Sequence, residues 1–266
     1  MASSPPDRSK KRPGFPARLG PASPVRSGAA PAFKTALPNA PRTASAAGVG
    51  LDSSAVRLKM VHQIASRGTC DPRVMSAMQS VERHRFVDSA LANQAYEDTS
   101  LPIGLGQTIS KPSVVAHMLT LLCAGRDAKL GRVLEIGTGC GYQAALLSFM
   151  CTEVYSIERL RGLHDKAREN LRQLRLPNVH LLFGDGMAGF AKGAPYAGII
   201  AAAGGEAIPQ SWLDQLAVGA RLVAPVMASR GGASAQVLTV IDKTEQGFRR
   251  QVLDAVQFVP LKSGLA

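Results

Sequence analysis

The spacing of apolar positions changes along the chain, and each change predicts a different kind of element. From Ser54 apolar residues recur at helical intervals, with Val56, Met60 and Ile64 on one face of "SAVRLKMVHQIASRG" and Gly68 as its stop. A second helix, "DPRVMSAMQSV", is announced by Asp71 as N-cap and Pro72 at the first helical position. The segment "RHRFV" leads into a loop, "LPIGLGQTISKP" from Leu101 to Pro112, and Pro112 opens a third helix over "SVVAHMLTLLC".

From Arg132 the rhythm becomes strand, turn, helix. "RVLEIG" reads as a short buried strand, "TGCG" as a turn and "YQAALLSFM" as a helix. The strands "EVYSIE", "NVHLLF", "AGIIAAA" and "ARLVAPV" follow, separated by the helical stretches "RLRGLHDKARENLRQL" and "PQSWLDQL" and by the turn "GDG". Strands alternating with helices predict a mostly parallel sheet covered on both faces, an α/β doubly wound architecture. The end differs: "AQVLTVID" and "FRRQVLDAVQFVPL" are joined by a turn at Glu245–Gly247, so an antiparallel pair closes the sheet.

Charge alters the picture only at the start of the chain. The formal net charge of +12 invites a nucleic-acid reading, but residues 1–50 hold eight Lys/Arg against one acid, Asp7, and so carry most of it. The same fifty residues hold nine of the 17 prolines and are otherwise mostly Ala, Ser and Gly. Such a segment buries too little apolar area to offset its ordering entropy, and it reads as a disordered tail. Its task stays open between a solubilising, loosely anion-binding tail and a transit peptide, although nine prolines oppose the amphipathic helix a transit peptide needs. Residues 51–266 read as a single domain, with N-terminal helices and a substrate loop over 51–131 and a cofactor-binding sheet over 132–266. No apolar run approaches the roughly 18 residues of a membrane span, and no charged-then-apolar signal opens the chain. Cys70, Cys123, Cys140 and Cys151 form no CxxC and no metal-ligand spacing with histidine, so no metal is expected and reduced thiols in a cytoplasm are.

The chemistry gathers at "LEIGTGCGYQ". Gly137, Thr138, Gly139 and Gly141 lie between the first strand of the sheet and a helix, where glycine lets the backbone approach a ligand and the helix offers unpaired N–H groups. Glu158 ends the second strand, placed to accept hydrogen bonds from both ribose hydroxyls. Gly139-x-Gly141-x-x-Ala144 also satisfies the dinucleotide fingerprint. Three features favour S-adenosylmethionine. Glu135, two residues before the first glycine, suits a cationic methionine moiety and would repel a pyrophosphate. Asp185 of "GDG", with Gly186, follows the third strand, within reach of an adenine amino group. No Tyr-x-x-x-Lys pair exists for hydride chemistry.

Taken together, "RHRFVD", "AYEDTSLPIGLGQTISKP", "RVLEIGTGCGYQAALL", "VYSIER", "GDG" and the closing "VQFVPL" resemble the protein-L-isoaspartate O-methyltransferase family, from about Ser54 to the C-terminus. The glycine turn is common to many methyltransferases; the "LPIG-GQTIS-P" loop is much narrower and carries the resemblance. It implies a Rossmann-like S-adenosylmethionine-dependent fold and methylation of the free carboxylate of L-isoaspartyl residues in damaged proteins and peptides. The ester then closes to a succinimide that hydrolyses in part to aspartate. The family's active-site serine matches Ser110, and its cofactor contacts match Glu135, the three glycines, Glu158 and Asp185. The chain departs from the family pattern at Ala197, where an acid is usual, and at Gly204–Gly205, which replace a proline region beside the substrate cleft.

The "TIS" loop contains no His, Asp, Glu or Cys, and Lys111 is its only charge. A base is not required. An isoaspartyl carboxyl titrates near 4, as a model aspartate does, so the nucleophile is already ionised at neutral pH. What remains is to hold an anion in line with a cationic methyl donor, about 3 Å away, in an uncharged and partly dry setting. Ser110 is expected to orient the acceptor carboxylate or the donor, with Thr108 and Ile109 lining the methyl path. A helix N-cap for the segment after Pro112 is the competing role for Ser110. The five histidines form no constellation, and the charges of "RLRGLHDKARENLRQLR" read as a solvated helix face. A nucleic-acid methyltransferase is one rival, but the Asn/Asp-Pro-Pro-aromatic motif and a Pro-Cys nucleophile are both missing; a methyltransferase of small molecules and a binding module that has kept the fold and lost turnover are the others. No specific nucleic acid and no membrane are expected as partners, and the protein is expected to act as a monomer.

Overall fold

The strands form where β-branched and apolar residues crowd into short runs, and the sheet they build sets the position of everything else. The computed structural model describes Met1 and residues 54–68, 70–230 and 233–266. The tail expected over residues 1–50 lies outside the described residues. Contacts divide the chain into two units, Met1–Thr43 and Ala44–Ala266, and all the elements described lie in the second.

Three helices precede the sheet: α1 (Ser54–Ser66), α2 (Pro72–Ser80) and α3 (Pro112–Cys123). Asp71 caps α2 as its sequence predicts, its Oδ1 accepting from the Arg73 amide at 2.8 Å. Between α2 and α3 the expected loop is instead a small antiparallel hairpin, β1 (Leu101–Gly104) with β2 (Gln107–Ile109). Its tip turns through left-handed backbone at Gly104, Leu105 and Gly106 (φ +100°, +52° and +69°). Glycine flanking a single leucine makes that tight turn feasible.

The sheet has seven strands in the order β5-β4-β3-β6-β7-β8-β9. Its strands are β3 (Leu130–Ile136), β4 (Cys151–Glu158), β5 (Val179–Phe183), β6 (Tyr196–Ala201), β7 (Leu216–Arg230), β8 (Ala233–Thr244) and β9 (Gly247–Val256). Strands β3 to β7 pair in parallel, whereas β7–β8 and β8–β9 are antiparallel, as the missing crossover helix at the end of the chain predicts. Helices α4 (Tyr142–Met150), α5 (Arg161–Arg172) and α6 (Gln210–Gln215) join the parallel strands.

Two cores follow from the alternation of side chains across the sheet. Val133 and Val154 pack with the helices α1 to α4, while Leu134, Ile136, Tyr196 and Trp212 form the core on the opposite face. The order in which strands are added reverses between β3 and β6, so the crevice above their carboxyl ends is the place where such sheets bind ligands. Ala197 sits half-buried at the start of β6, at the opposite end of that strand from this crevice.

Candidate active site

A cavity of about 390 Å³ opens above those strand ends. The end of β3 contributes Gly137 to Gly139, the end of β4 Glu158, the turn after β5 Gly186 and the end of β6 Ala202 and Ala203. The hairpin and the C-terminal stretch Val259–Lys262 complete the wall. Thus Gly137, Thr138, Gly139, Glu158, Gly186, Thr108, Ile109 and Ser110 of the sequence-predicted residues do converge on one space.

The glycine turn is built around missing side chains. Gly137, Gly139 and Gly141 all have positive φ (+88°, +57° and +92°). A Cβ at Gly139 would lie 3.2 Å from Ile103 Cδ1, and one at Gly141 3.1 Å from Leu171. Gly141 itself lies one layer behind the wall, at the N-terminus of α4. The turn is tied down from below, because the Gly137 and Thr138 amides both donate to the Ile157 carbonyl, at 2.9 and 3.1 Å.

Glu158 lines the cavity and is buried, with its Oε2 accepting from the Gly139 amide at 2.9 Å and its Oε1 from the Leu160 amide at 3.0 Å. Each carboxylate oxygen has a second lone pair, so ribose hydroxyls still find acceptors there. This set fits S-adenosylmethionine: a backbone turn without side chains for the amino-acid moiety, a carboxylate for the ribose, and apolar Ile157, Leu160 and Leu163 beside it.

Two expected cofactor contacts are placed differently. Glu135 does not reach the cavity. Period-two alternation sends it to the same face as Val133, where it is fully buried beneath α4. Ser156 Oγ donates to its Oε2, and Ser156 in turn bonds Thr138 Oγ1 at 2.6 Å. Burial pushes the Glu135 pKa up to about 8, against the opposing hydrogen bond from Ser156. At neutral pH it is therefore a protonated post beneath the glycine turn rather than a charge facing a cationic ligand. Asp185 stands just outside the wall. Its Oδ1 accepts from the Met187 amide at 2.8 Å and its Oδ2 from the Gly264 amide at 2.7 Å, so it anchors the C-terminal end of the chain beside the cavity.

The competing role of Ser110 as a helix cap is not the one the fold gives it. Lys111 occupies the N-cap position of α3, and the Ser113 amide is satisfied from outside by Asp98 Oδ1 at 3.0 Å. The Ser110 hydroxyl makes no hydrogen bond among the described residues, and its residue faces both the cavity and a second, open groove. That groove runs between Thr99–Ser100, the hairpin and Ala255–Val259. Thr108, Ser110 and Val259 line both spaces.

Sequence reasoning missed the support behind this junction. Arg83, the first residue of "RHRFVD", is completely buried. Its Nε donates to the Ala95 carbonyl and its Nη2 to the Ser110 carbonyl, both at 2.8 Å, and the guanidinium carbon lies 4.9 Å from the centroid of the Tyr142 ring. Burial pushes its pKa down, offset in part by Tyr142. Helix α5 also does more than present a solvated face: Lys166 Nζ donates to the Ile103 carbonyl at 3.1 Å and Asn170 Nδ2 to the Cys140 carbonyl at 2.9 Å. Gly204 and Gly205 lie outside both walls. Their backbone pins the C-terminal stretch instead, Gly204 N donating to Val259 O at 2.9 Å and Leu261 N to Gly204 O at 2.8 Å. A side chain at Gly204 would collide with Gln236, 2.5 Å away.

No histidine lines either space. Of the weak acids in the cavity wall, burial pushes the Cys140 thiol up and the Tyr142 hydroxyl up to about 12, so neither is a base at neutral pH.

The sequence profile of the family described as protein-L-isoaspartate(D-aspartate) O-methyltransferase matches residues 55–266. A protein-L-isoaspartate O-methyltransferase of Methylibium petroleiphilum is 56% identical over 261 residues, covering 95% of this chain and 96% of its own. One from Leptothrix cholodnii is 58% identical over 225 residues, covering 84% and 79%. A solved protein-L-isoaspartate O-methyltransferase structure superposes with a TM-score of 0.70 at 27% identity, over 79% of this chain and 67% of that one. The fold also matches a Plasmodium falciparum structure described as a complex with S-adenosyl-L-homocysteine, with a TM-score of 0.67 at 24% identity over 77% and 98% of the two chains. The chain belongs to the protein-L-isoaspartate(D-aspartate) O-methyltransferase family.

Proposed function

We propose that this chain transfers a methyl group from S-adenosyl-L-methionine to the free carboxylate of L-isoaspartyl residues in damaged proteins and peptides. One observation carries the reading: a cavity fit for the cofactor and a groove fit for an extended peptide meet at Thr108, Ser110 and Val259. Family membership and the names of relatives at 56% and 58% identity support the same activity.

When bound, the cofactor supplies an electrophilic sulfonium methyl. Gly137, Thr138, Gly139, Glu158 and Gly186 hold it, with Gly141 opening the helix behind the turn, Glu135 keeping that turn in place and Asp185 fixing the chain end beside it. Thr108 and Ile109 keep the junction apolar and narrow. The Ser110 hydroxyl, unengaged by the protein, donates to the acceptor carboxylate and sets its direction. A neutral donor orients the anion without the ground-state stabilisation that a cation in contact with it would bring, so the loss of charge on transfer lowers the barrier. Proton removal plays no part.

The four cysteines are all free thiols, which supports a reducing compartment such as the cytoplasm. Among the described residues, no helix is long and apolar enough to cross a membrane. Labelled methyl transfer to an isoaspartyl peptide, run beside its aspartyl twin, tests the proposal. Incorporation into the first alone supports it, and incorporation into neither or both rejects it.

A further inference from the structure

The groove that receives the acceptor is neutral except at one point. Of the eleven residues that line it, only Lys111 is charged; the others are hydroxyl, amide or apolar residues such as Thr99, Ser100, Val114 and Gln257. Lys111 is exposed, and its ammonium makes no ion pair or hydrogen bond with another described residue. The acids nearest to it in the chain do not neutralise it. Asp98 is committed to the Arg67 guanidinium at 2.6 Å and the Ser113 amide at 3.0 Å, and Glu97 does not line the groove. Lys111 also lines the groove only, and not the donor cavity, although it follows Ser110 directly in the chain. Its ammonium therefore stands beside the path of the peptide and outside the space where the methyl group is presented.

From this placement we infer that Lys111 selects the sequence context of the damaged site, favouring isoaspartyl peptides that carry an acidic residue next to the isoaspartate. The inference rests on the acceptor-groove reading above. A carboxylate flanking the isoaspartate meets one uncompensated cation and no opposing acid, in a groove that is partly shielded from water. An uncharged neighbour gains nothing from it, and a basic neighbour is repelled. An exposed pair of this kind is worth little in open solvent, so the expected preference is moderate and falls with salt.

The test uses the full chain and matched isoaspartyl peptides whose flanking residue is Glu, Gln or Lys. The wild-type protein is expected to show a kcat/KM about three- to fivefold higher for the Glu peptide than for the Gln peptide, arising in KM, and a lower value still for the Lys peptide. Lys111→Gln should flatten the series and Lys111→Glu should invert it, while 0.5 M salt should compress the wild-type differences. A loss of folding or of cofactor affinity would move all peptides together and leave their ratios intact, so the ratios isolate the charge effect. Equal kcat/KM across the wild-type series, or a Lys111→Gln variant that slows every peptide by the same factor, overturns the inference. Absence of methylation from all peptides would instead overturn the proposed function.

Discussion

The buried Arg83 guanidinium donates to the main-chain carbonyl of Ser110 at 2.8 Å, from a position that reaches neither the cofactor cavity nor the groove. A desolvated cation thus fixes the backbone of the residue whose hydroxyl faces the acceptor. Its second bond, to the Ala95 carbonyl, ties the same guanidinium to the turn before the hairpin. Lysine keeps the charge but cannot span both carbonyls with a rigid fork. Arg83→Lys is therefore expected to lower kcat by about tenfold or more while S-adenosylmethionine affinity stays within about twofold of wild type. Full turnover in that variant, with normal thermal stability, would show that the Ser110 backbone needs no such anchor.

Ser110 and Asp98 divide two roles that sequence alone leaves on one residue. The α3 terminus draws its side-chain acceptor from Asp98, and the Ser110 hydroxyl stays available. Ser110→Ala should reduce kcat by about tenfold or more with an unchanged melting temperature. Asp98→Ala should cost about 1 kcal/mol of stability, the usual value of a lost cap, and leave kcat near wild type. Thermal melts and initial rates on both variants check the pair of expectations, and the reverse pattern would return Ser110 to a capping role.

Glu135 supplies a pH signature. In the folded protein burial raises its pKa from 4.5 to about 8. Between those values the unfolded chain binds fewer protons than the folded one, so the contribution of this residue to stability is greatest below about pH 4.5. It declines as pH rises and levels off above about pH 8. Glu135→Gln removes the titration while keeping a hydrogen-bonding amide. The melting temperature of the variant relative to wild type should rise from pH 5 to about pH 8 and then level off. A difference that does not change with pH would mean that Glu135 is not held protonated.

The parallel part of the sheet was legible because β3 to β6 are short runs rich in apolar residues, and the change to antiparallel pairing because no helix-length segment separates the last three strands. The glycine turn and Glu158 were legible from their order along the chain. The side on which Glu135 points was not, because its significance was drawn from proximity to the glycines rather than from alternation along β3. The hairpin at Leu101–Ile109 escaped notice because its two strands span only four and three residues. Arg83, Val259 and Gly204 act on the site through contacts across long stretches of sequence, which periodicity does not encode. "RHRFVD" and "VQFVPL" stood out as motifs, but the physical task of each became readable only in three dimensions.

The claim that alignment replaces proton removal is tested most directly by the rate of methyl transfer to an isoaspartyl peptide at saturating cofactor and peptide, followed from pH 5.5 to 7.5. With the acceptor ionised throughout this range and Glu135 still mostly protonated, the account predicts a rate that varies by less than about twofold. A rate that climbs about tenfold with each pH unit, as removal of a proton by a base of the protein requires, would contradict it.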